Sequence, residues 1–291
     1  MEYINRIGTY SFKWDSLDRE FGDSDLLAMW VADMDFMPPR CVTKALHAYI
    51  EEPLGYFSTP ASYYEAIIDW EKRRHDYDIK KEWICVTPGI VPALHWAVRT
   101  LTKPGDSIMV STPVYYPFMN AINHADNRKL VENDLKKVEN HYEFDFEKFE
   151  HDIKFNNVKL YILCNPHNPV GRVWTKEELK TILDICKKYE VKVISDEIHQ
   201  DIINPSLGRK KVTAATVGDY DNMLITMASS SKSFNIAGVQ NSFIIIPNEE
   251  MRASFSKFLE IMALDDVNGF GHIATEAAFR GGETWLNEIL V

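Results

Sequence analysis

The chain has 291 residues, 45% hydrophobic and 26% charged, enough to bury one sizeable core in a single large domain, with or without an appendage. Its formal charge of −11, with lysines interspersed among carboxylates and no basic run, argues against a nucleic-acid or anionic-membrane partner. No apolar stretch approaches the roughly 20 residues that cross a bilayer.

The first residues, "MEYINRIGTYSFKWDS", carry neither an apolar leader core nor an Arg-rich amphipathic pattern. Cys41, Cys85, Cys164 and Cys186 are widely spaced, with no CxxC or Cys/His cluster, which predicts reduced thiols in a cytoplasmic protein and no metal site. "MWVADMDFMPP" reads as an extended segment ending in prolines, and "RCVTKALHAYI" as a helix. Residues 1–50 are therefore expected to form an arm or a piece of a second domain, and residues 51–291 the large domain.

From about residue 80, short runs rich in β-branched residues alternate with helical patterns: "WICVTP", "SIMVST", "VKLYILC", "VKVISDE", "NMLITMA" and "NSFIIIP". Near-continuous apolarity predicts strands covered on both faces, hence an α/β fold with a mostly parallel sheet. A helix over "IVPALHWAVRTL" follows "TPG" and is closed by the "KPGD" turn. Another over "TKEELKTILDICKKY" opens with a Thr175/Glu178 capping box, and its apolar residues Leu179, Ile182, Leu183 and Cys186 share one face. "ETWLNEILV" ends in a helical pattern without a stop signal, and its apolar face is expected to be uncovered.

In an open α/β sheet, ligands sit at the carboxyl ends of the strands. Four polar features fall there: "TPG" at 87–89, "CNPHNPVG" at 164–171, Asp196, and Lys232 in "SSSKSFNIAG". Taken singly, each has a plain alternative: a surface lysine, a helix cap, a turn at Asn165–Pro166. Together they fit one ligand.

These stretches, with "VADMDF", "GY" at 55–56, "STPVYYPF", "NPHNPVGRVWTKEEL" and "ISDEIH", resemble the fold-type I pyridoxal-phosphate enzymes of the class I/II aminotransferase superfamily. More narrowly they resemble its MalY/PatB-type cystathionine β-lyase (C–S lyase) branch. The resemblance implies a three-layer α/β/α large domain with an N-terminal arm, pyridoxal 5′-phosphate as cofactor, a small amino-acid substrate, and a homodimer with shared active sites. It implies that Lys232 bonds the cofactor and then moves the substrate Cα proton, and that Asp196 faces the pyridine nitrogen. Asn165 would donate to the ring oxygen, with His199 beside it unless that histidine lies on a helix surface. Tyr115, or its neighbour Tyr116, would stack on the ring. The backbone N–H groups of Ile90 and Val91 beyond Gly89 would hold the phosphate, together with the hydroxyls of Ser229 and Ser231 and with Tyr56 of the neighbouring subunit.

Many aminotransferases carry an arginine eight residues after the lysine; here that position is Gln240, as in the β-lyase branch. Members of the family extend beyond this length, so the small domain is expected to be incomplete. No residue matches the arginine that clamps the substrate carboxylate, Arg280 being too early, so the chain alone is expected to be nearly inactive. The implied reaction is cleavage of cystathionine or cysteine conjugates to thiol, pyruvate and ammonia. Transamination by the same residues is the alternative, and a non-catalytic or regulatory protein on the same scaffold is a third.

Overall fold

The computed structural model describes residues 2–265 and 268–291. Its centre is a seven-stranded sheet of β1 (Ile84–Thr87), β2 (Ser107–Thr112), β3 (Lys129–Asp134), β6 (Val158–Cys164), β7 (Lys192–Asp196), β8 (Leu224–Ala228) and β9 (Ser242–Ile245). A small hairpin of β4 (Lys136–Val138) and β5 (His141–Glu143) stands apart. The order across the large sheet is β1-β9-β8-β7-β6-β2-β3. All six runs read from the sequence are strands of this sheet.

The sheet is mostly parallel, as expected, the exception being the "NSFIIIP" strand, β9, which runs antiparallel to both neighbours. The edge strand β3, "KLVEND", escaped the reading because it is largely exposed and mixes charge with apolar residues, which removes the continuous apolar signature.

Alternate residues of each strand feed opposite layers. Ile108, Val110, Leu160, Ile162, Ile194, Ile225 and Ile244 pack under the helices Ile90–Leu101, Pro117–Asn123 and Glu249–Ile261. Met109, Tyr161, Leu163 and Val193 face the helices Phe146–Phe155 and Lys176–Lys188. A third cluster joins Phe243 and Ile245 to the helices Arg40–Ile50, Ala61–His75 and Gly269–Gly281. The result is three layers, α/β/α. The capping box forms as predicted: Thr175 Oγ1 accepts from the Glu178 N–H at 3.1 Å, and Glu178 Oε2 accepts from the Thr175 N–H at 2.8 Å.

The expectation for "WLNEILV" is corrected. The helix Glu283–Ile289 buries Leu286 completely, and Trp285 and Leu290 pack against the third cluster beside Phe234 and Phe279. Uncovered apolar side chains instead concentrate near the amino terminus, at Tyr3, Ile7, Tyr10, Leu27, Met29 and Leu54.

Candidate active site

The four polar features meet at one edge of the sheet. β6, β7 and β8 are adjacent and parallel, so Asn165, Asp196 and Ser229 lie at or just beyond neighbouring carboxyl ends. Cys164 pairs with Asp196 in register, and the Asn165 N–H donates to the Asp196 carbonyl at 2.9 Å. Antiparallel β9 brings its amino end to the same edge. There Ser242 and Thr87 hydroxyls meet at 2.7 Å, and Ser229 Oγ donates to the Asn241 carbonyl at 2.8 Å. Through β9 the "TPG" turn after β1 is tied to the segment that carries Lys232.

Gly89 caps the helix Ile90–Leu101 without any side-chain hydrogen bond. The leading N–H groups of Ile90 and Val91 therefore lack intrahelical partners and face outward at the positive end of the helix dipole, an arrangement that favours an anion. Ser229 caps the short helix Ser230–Ser233, accepting from the Ser231 N–H at 3.0 Å. Its single hydroxyl hydrogen is directed within the chain, to Asn241 or Ser231, so Ser231 is the freer donor of the two.

Lys232 follows in that helix. Its Nζ donates to the Ala32 carbonyl at 3.0 Å, and burial lowers its pKa against the opposing pull of Asp33. The contact brings the "VADMDF" segment over the lysine. Asn235 fixes that segment with three hydrogen bonds of 2.9 Å, to the Met34 N–H, the Met34 carbonyl and the Phe36 carbonyl. Arg6 and Lys13 add ion pairs to Asp33 and Asp35 at 2.7 and 2.8 Å. In the sequence this segment is only a mark of resemblance; in the fold its Ala32 both accepts from Lys232 and lines the adjoining cleft.

Asp196 is buried, and among the described residues its carboxylate accepts only from the Ile198 N–H at 3.0 Å. With no cation paired to it, burial pushes its pKa up to about 7. His199 is also held neutral, its pKa lowered to about 4 first by burial and then by the Lys232 charge. Tyr115 is half-buried and feels the Asp196 carboxylate, whereas Tyr116 is 65% exposed. Both amide hydrogens of Asn165 are engaged, by the Val212 carbonyl at 2.9 Å and Glu197 Oε1 at 3.3 Å, and its buried Oδ1 has no partner. Tyr56 is 106% exposed, away from these groups of its own chain. Gln240 sits in a left-handed turn and lines a small cavity with Thr87, Pro88 and His272. Arg280 pairs with Glu276 at 3.0 Å and donates to the Ser62 carbonyl.

A cleft of about 360 Å³ opens beside Lys232 and His199, lined by Ala32, His167, Asn168, Ile202 and Leu207 among others. Its surroundings supply a buried carboxylate without a cation, an unpartnered amide oxygen, an amine of lowered basicity and an anion-binding helix end. Those groups fit pyridoxal phosphate, which carries a ring nitrogen that can be protonated, an aldehyde and a phosphate. Among the described residues no group of three His, Cys, Asp or Glu side chains could hold a metal, and no helix is long and apolar enough to cross a membrane.

The aminotransferase class I and II family profile matches residues 24–285. The cystathionine β-lyase PatB of Bacillus subtilis is 40% identical over 287 residues, 98% of this chain and 73% of PatB. Cystalysin from Treponema denticola, whose crystal structure contains pyridoxal 5′-phosphate, superposes with a TM-score of 0.94 at 37% identity, covering 100% of this chain and 74% of that one. The pyridoxal-phosphate-bound C–S lyase of Staphylococcus hominis superposes with a TM-score of 0.92 at 35% identity, over 99% of this chain and 72% of that one. With its matching sheet and the four strand-end features in place, this chain belongs to the aminotransferase class I and II family, whose cofactor is pyridoxal phosphate.

Proposed function

We propose that the protein is a pyridoxal-phosphate-dependent carbon–sulfur β-lyase that converts cystathionine or related cysteine conjugates to a thiol, pyruvate and ammonia. The observation that carries the reading is the placement of Lys232 just beyond β8 and of a buried Asp196, with no cation paired to it among the described residues, at the end of the neighbouring parallel strand β7. The 40% identity to PatB directs it toward C–S cleavage, and Gln240 in the place of an arginine agrees with that branch.

When bound, the cofactor supplies the sink for the electron pair left as the Cα proton departs. Lys232 would hold the cofactor aldehyde and would move the substrate Cα proton; its lowered pKa leaves the free amine neutral more often and so able to take a proton. Asp196 would face the pyridine nitrogen, and a protonated nitrogen there would give the carboxylate a cation partner, lowering its pKa toward the ordinary range. Tyr115 would stack on the ring, and Asn165 and His199 would border the ring oxygen. With its amide hydrogens engaged, Asn165 presents its carbonyl side, and a donating role requires the amide to turn. The N–H groups of Ile90 and Val91 beyond Gly89, with the hydroxyls of Ser231 and Ser229, receive the phosphate.

A homodimer completes the reading. Tyr56 reaches the phosphate of the second copy, which accords with its full exposure, and the uncovered apolar side chains of the amino-terminal region form much of the contact. Residues 1–50 then serve as an arm and part of a small domain, and residues 51–291 as the large domain. Four free thiols accord with a cytoplasmic setting.

The test is incubation of cofactor-loaded protein with L-cystathionine, and separately with an amino-acid/keto-acid pair. Pyruvate and thiol from the first support the lyase. A new amino acid from the second, without pyruvate from the first, replaces this reading with transamination.

A further inference from the structure

Beneath the cleft lies a set of charged side chains for which the reaction has no direct use. Glu197, the residue after Asp196, is wholly buried. Its Oε1 accepts from Ser195 Oγ at 2.8 Å, the Ala214 N–H at 3.0 Å and the Asn165 amide at 3.3 Å, while Oε2 pairs with Lys211 Nζ. Lys211 is itself buried, and it also donates to Thr213 Oγ1 at 3.0 Å and Gln200 Oε1 at 3.2 Å. The Gln200 amide then donates to buried Glu71 at 2.7 Å. These contacts link the ends of β6 and β7, the 211–214 segment and the helix Ala61–His75.

We propose that the Glu197–Lys211 pair is a positioning device for the cofactor bed, with Glu197 fixing the Asn165 amide and the Asp196 turn, and Lys211 fixing Glu197. An ion pair sealed from water gains little net stability over apolar residues of the same shape, because desolvation offsets the attraction. It does impose direction: Oε1 gathers three donors from three different segments, and one of them is the side chain bordering the cofactor's ring oxygen. Asn165 has two acceptors, Glu197 and Val212, holding its two hydrogens, so the orientation of its carbonyl follows from where Glu197 stands. Glu197 and Lys211 are both buried and engaged by protein partners, so both act through other residues.

The inference rests on the cofactor reading above, and two variants separate position from charge. Glu197→Asp keeps the charge and a partner for Lys211 but withdraws the carboxylate by about one methylene from Asn165 and Ala214. Glu197→Gln combined with Lys211→Met removes both charges and keeps an acceptor oxygen where Oε1 stands. Pyridoxal phosphate affinity is read by equilibrium dialysis and by the visible absorbance of the complex, and the melting temperature of the cofactor-free protein reads the fold. Glu197→Asp is expected to weaken cofactor binding about tenfold with a drop of only a few degrees in the cofactor-free melting temperature. The double variant is expected to bind within about threefold of wild type. Glu197→Asp binding within twofold of wild type, or a double variant as weak as Glu197→Asp, overturns the proposal. Wild-type protein that fails to bind the cofactor overturns this inference and the functional reading together, whereas tight wild-type binding with unaffected variants sinks only this one.

Discussion

In a buried floor that does not itself line the cleft, Glu197 and Asp201 are carboxylates that each gather at least three donors. Asp201 accepts from His75 at 2.9 Å, Ser233 at 2.7 Å and Trp70 at 3.3 Å, and those bonds hold its pKa down although burial alone pushes it up. On the amino-terminal rim the opposite holds: Leu27 is 77% and Met29 85% exposed, and Tyr56 has no contact with the cleft of its own chain. The floor is finished within one chain, because strand register and buried hydrogen bonds define it. The exposure of the rim accords with the proposed contact between two copies. Asp196 stands between these cases: it is buried like the floor residues, but no cation pairs with it among the described residues, and in the proposed reading a ligand completes it.

That contrast can be broken most severely at the lysine. Lys232→Ala is expected to lower turnover at least about a thousandfold, because it removes both the cofactor bond and the proton carrier. In wild type, a visible absorbance band should survive desalting, and borohydride should fix the label on the Lys232 peptide. A label on another lysine contradicts the assignment.

Asp196 tests the floor without its ligand. Burial raises its folded pKa to about 7, above the ordinary aspartate value of 3.8, so up to that pH the neutral carboxyl is the favoured folded form. The associated stability is fully present below about pH 4 and is lost as the pH rises through 7. In cofactor-free protein, Asp196→Asn should therefore raise the melting temperature at pH 8, by up to about 4 kcal/mol in stability, and the gain should shrink toward pH 5. An equal gain at both values would mean that Asp196 is already ionised and compensated. With cofactor bound the carboxylate is needed, and Asp196→Ala should cut turnover by more than about tenfold, or about 1.4 kcal/mol of transition-state stabilisation.

The rim gives smaller effects. Leu27→Glu with Met29→Glu should weaken self-association about tenfold by sedimentation velocity while leaving the melting temperature of the separated chain unchanged. Tyr56→Phe should weaken cofactor binding a few-fold in the dimer, and no change would place Tyr56 outside the site.

Much of the sheet was legible because six strands carry continuous apolar runs, and helix starts such as Thr175/Glu178 announce themselves locally. Strand β3 and the reversal of β9 were not, since exposure erases the first pattern and a parallel and an antiparallel buried strand look alike in sequence. The same limit applies at the site. Lys232, Asp196 and Asn165 stand at strand ends, where position follows from the pattern. Lys211, 21 residues before Lys232, reads as one more charge in "GRKKV", and only the fold shows that it is buried against Glu197. The covered face of the helix Glu283–Ile289 was misread because its partner, Phe234, comes about 50 residues earlier in the chain.

The reversed strand has a consequence for the order in which the molecule folds. Ala228 pairs with Phe243 only 15 residues on, so the Lys232 segment is closed by a local antiparallel contact. Cys164 and Asp196 pair across 32 residues and need the intervening helix to cross over first. Loop closure alone favours the shorter contact by only about 0.6 kcal/mol, but parallel pairing must also wait for its crossover, and such non-local contacts form slowly. Pulse-labelled hydrogen exchange during refolding is expected to protect the amides of β8 and β9 before those of β6 and β7. On refolding of the complete chain, the segment that carries Lys232 would then be seated before the carboxylate proposed to work with it.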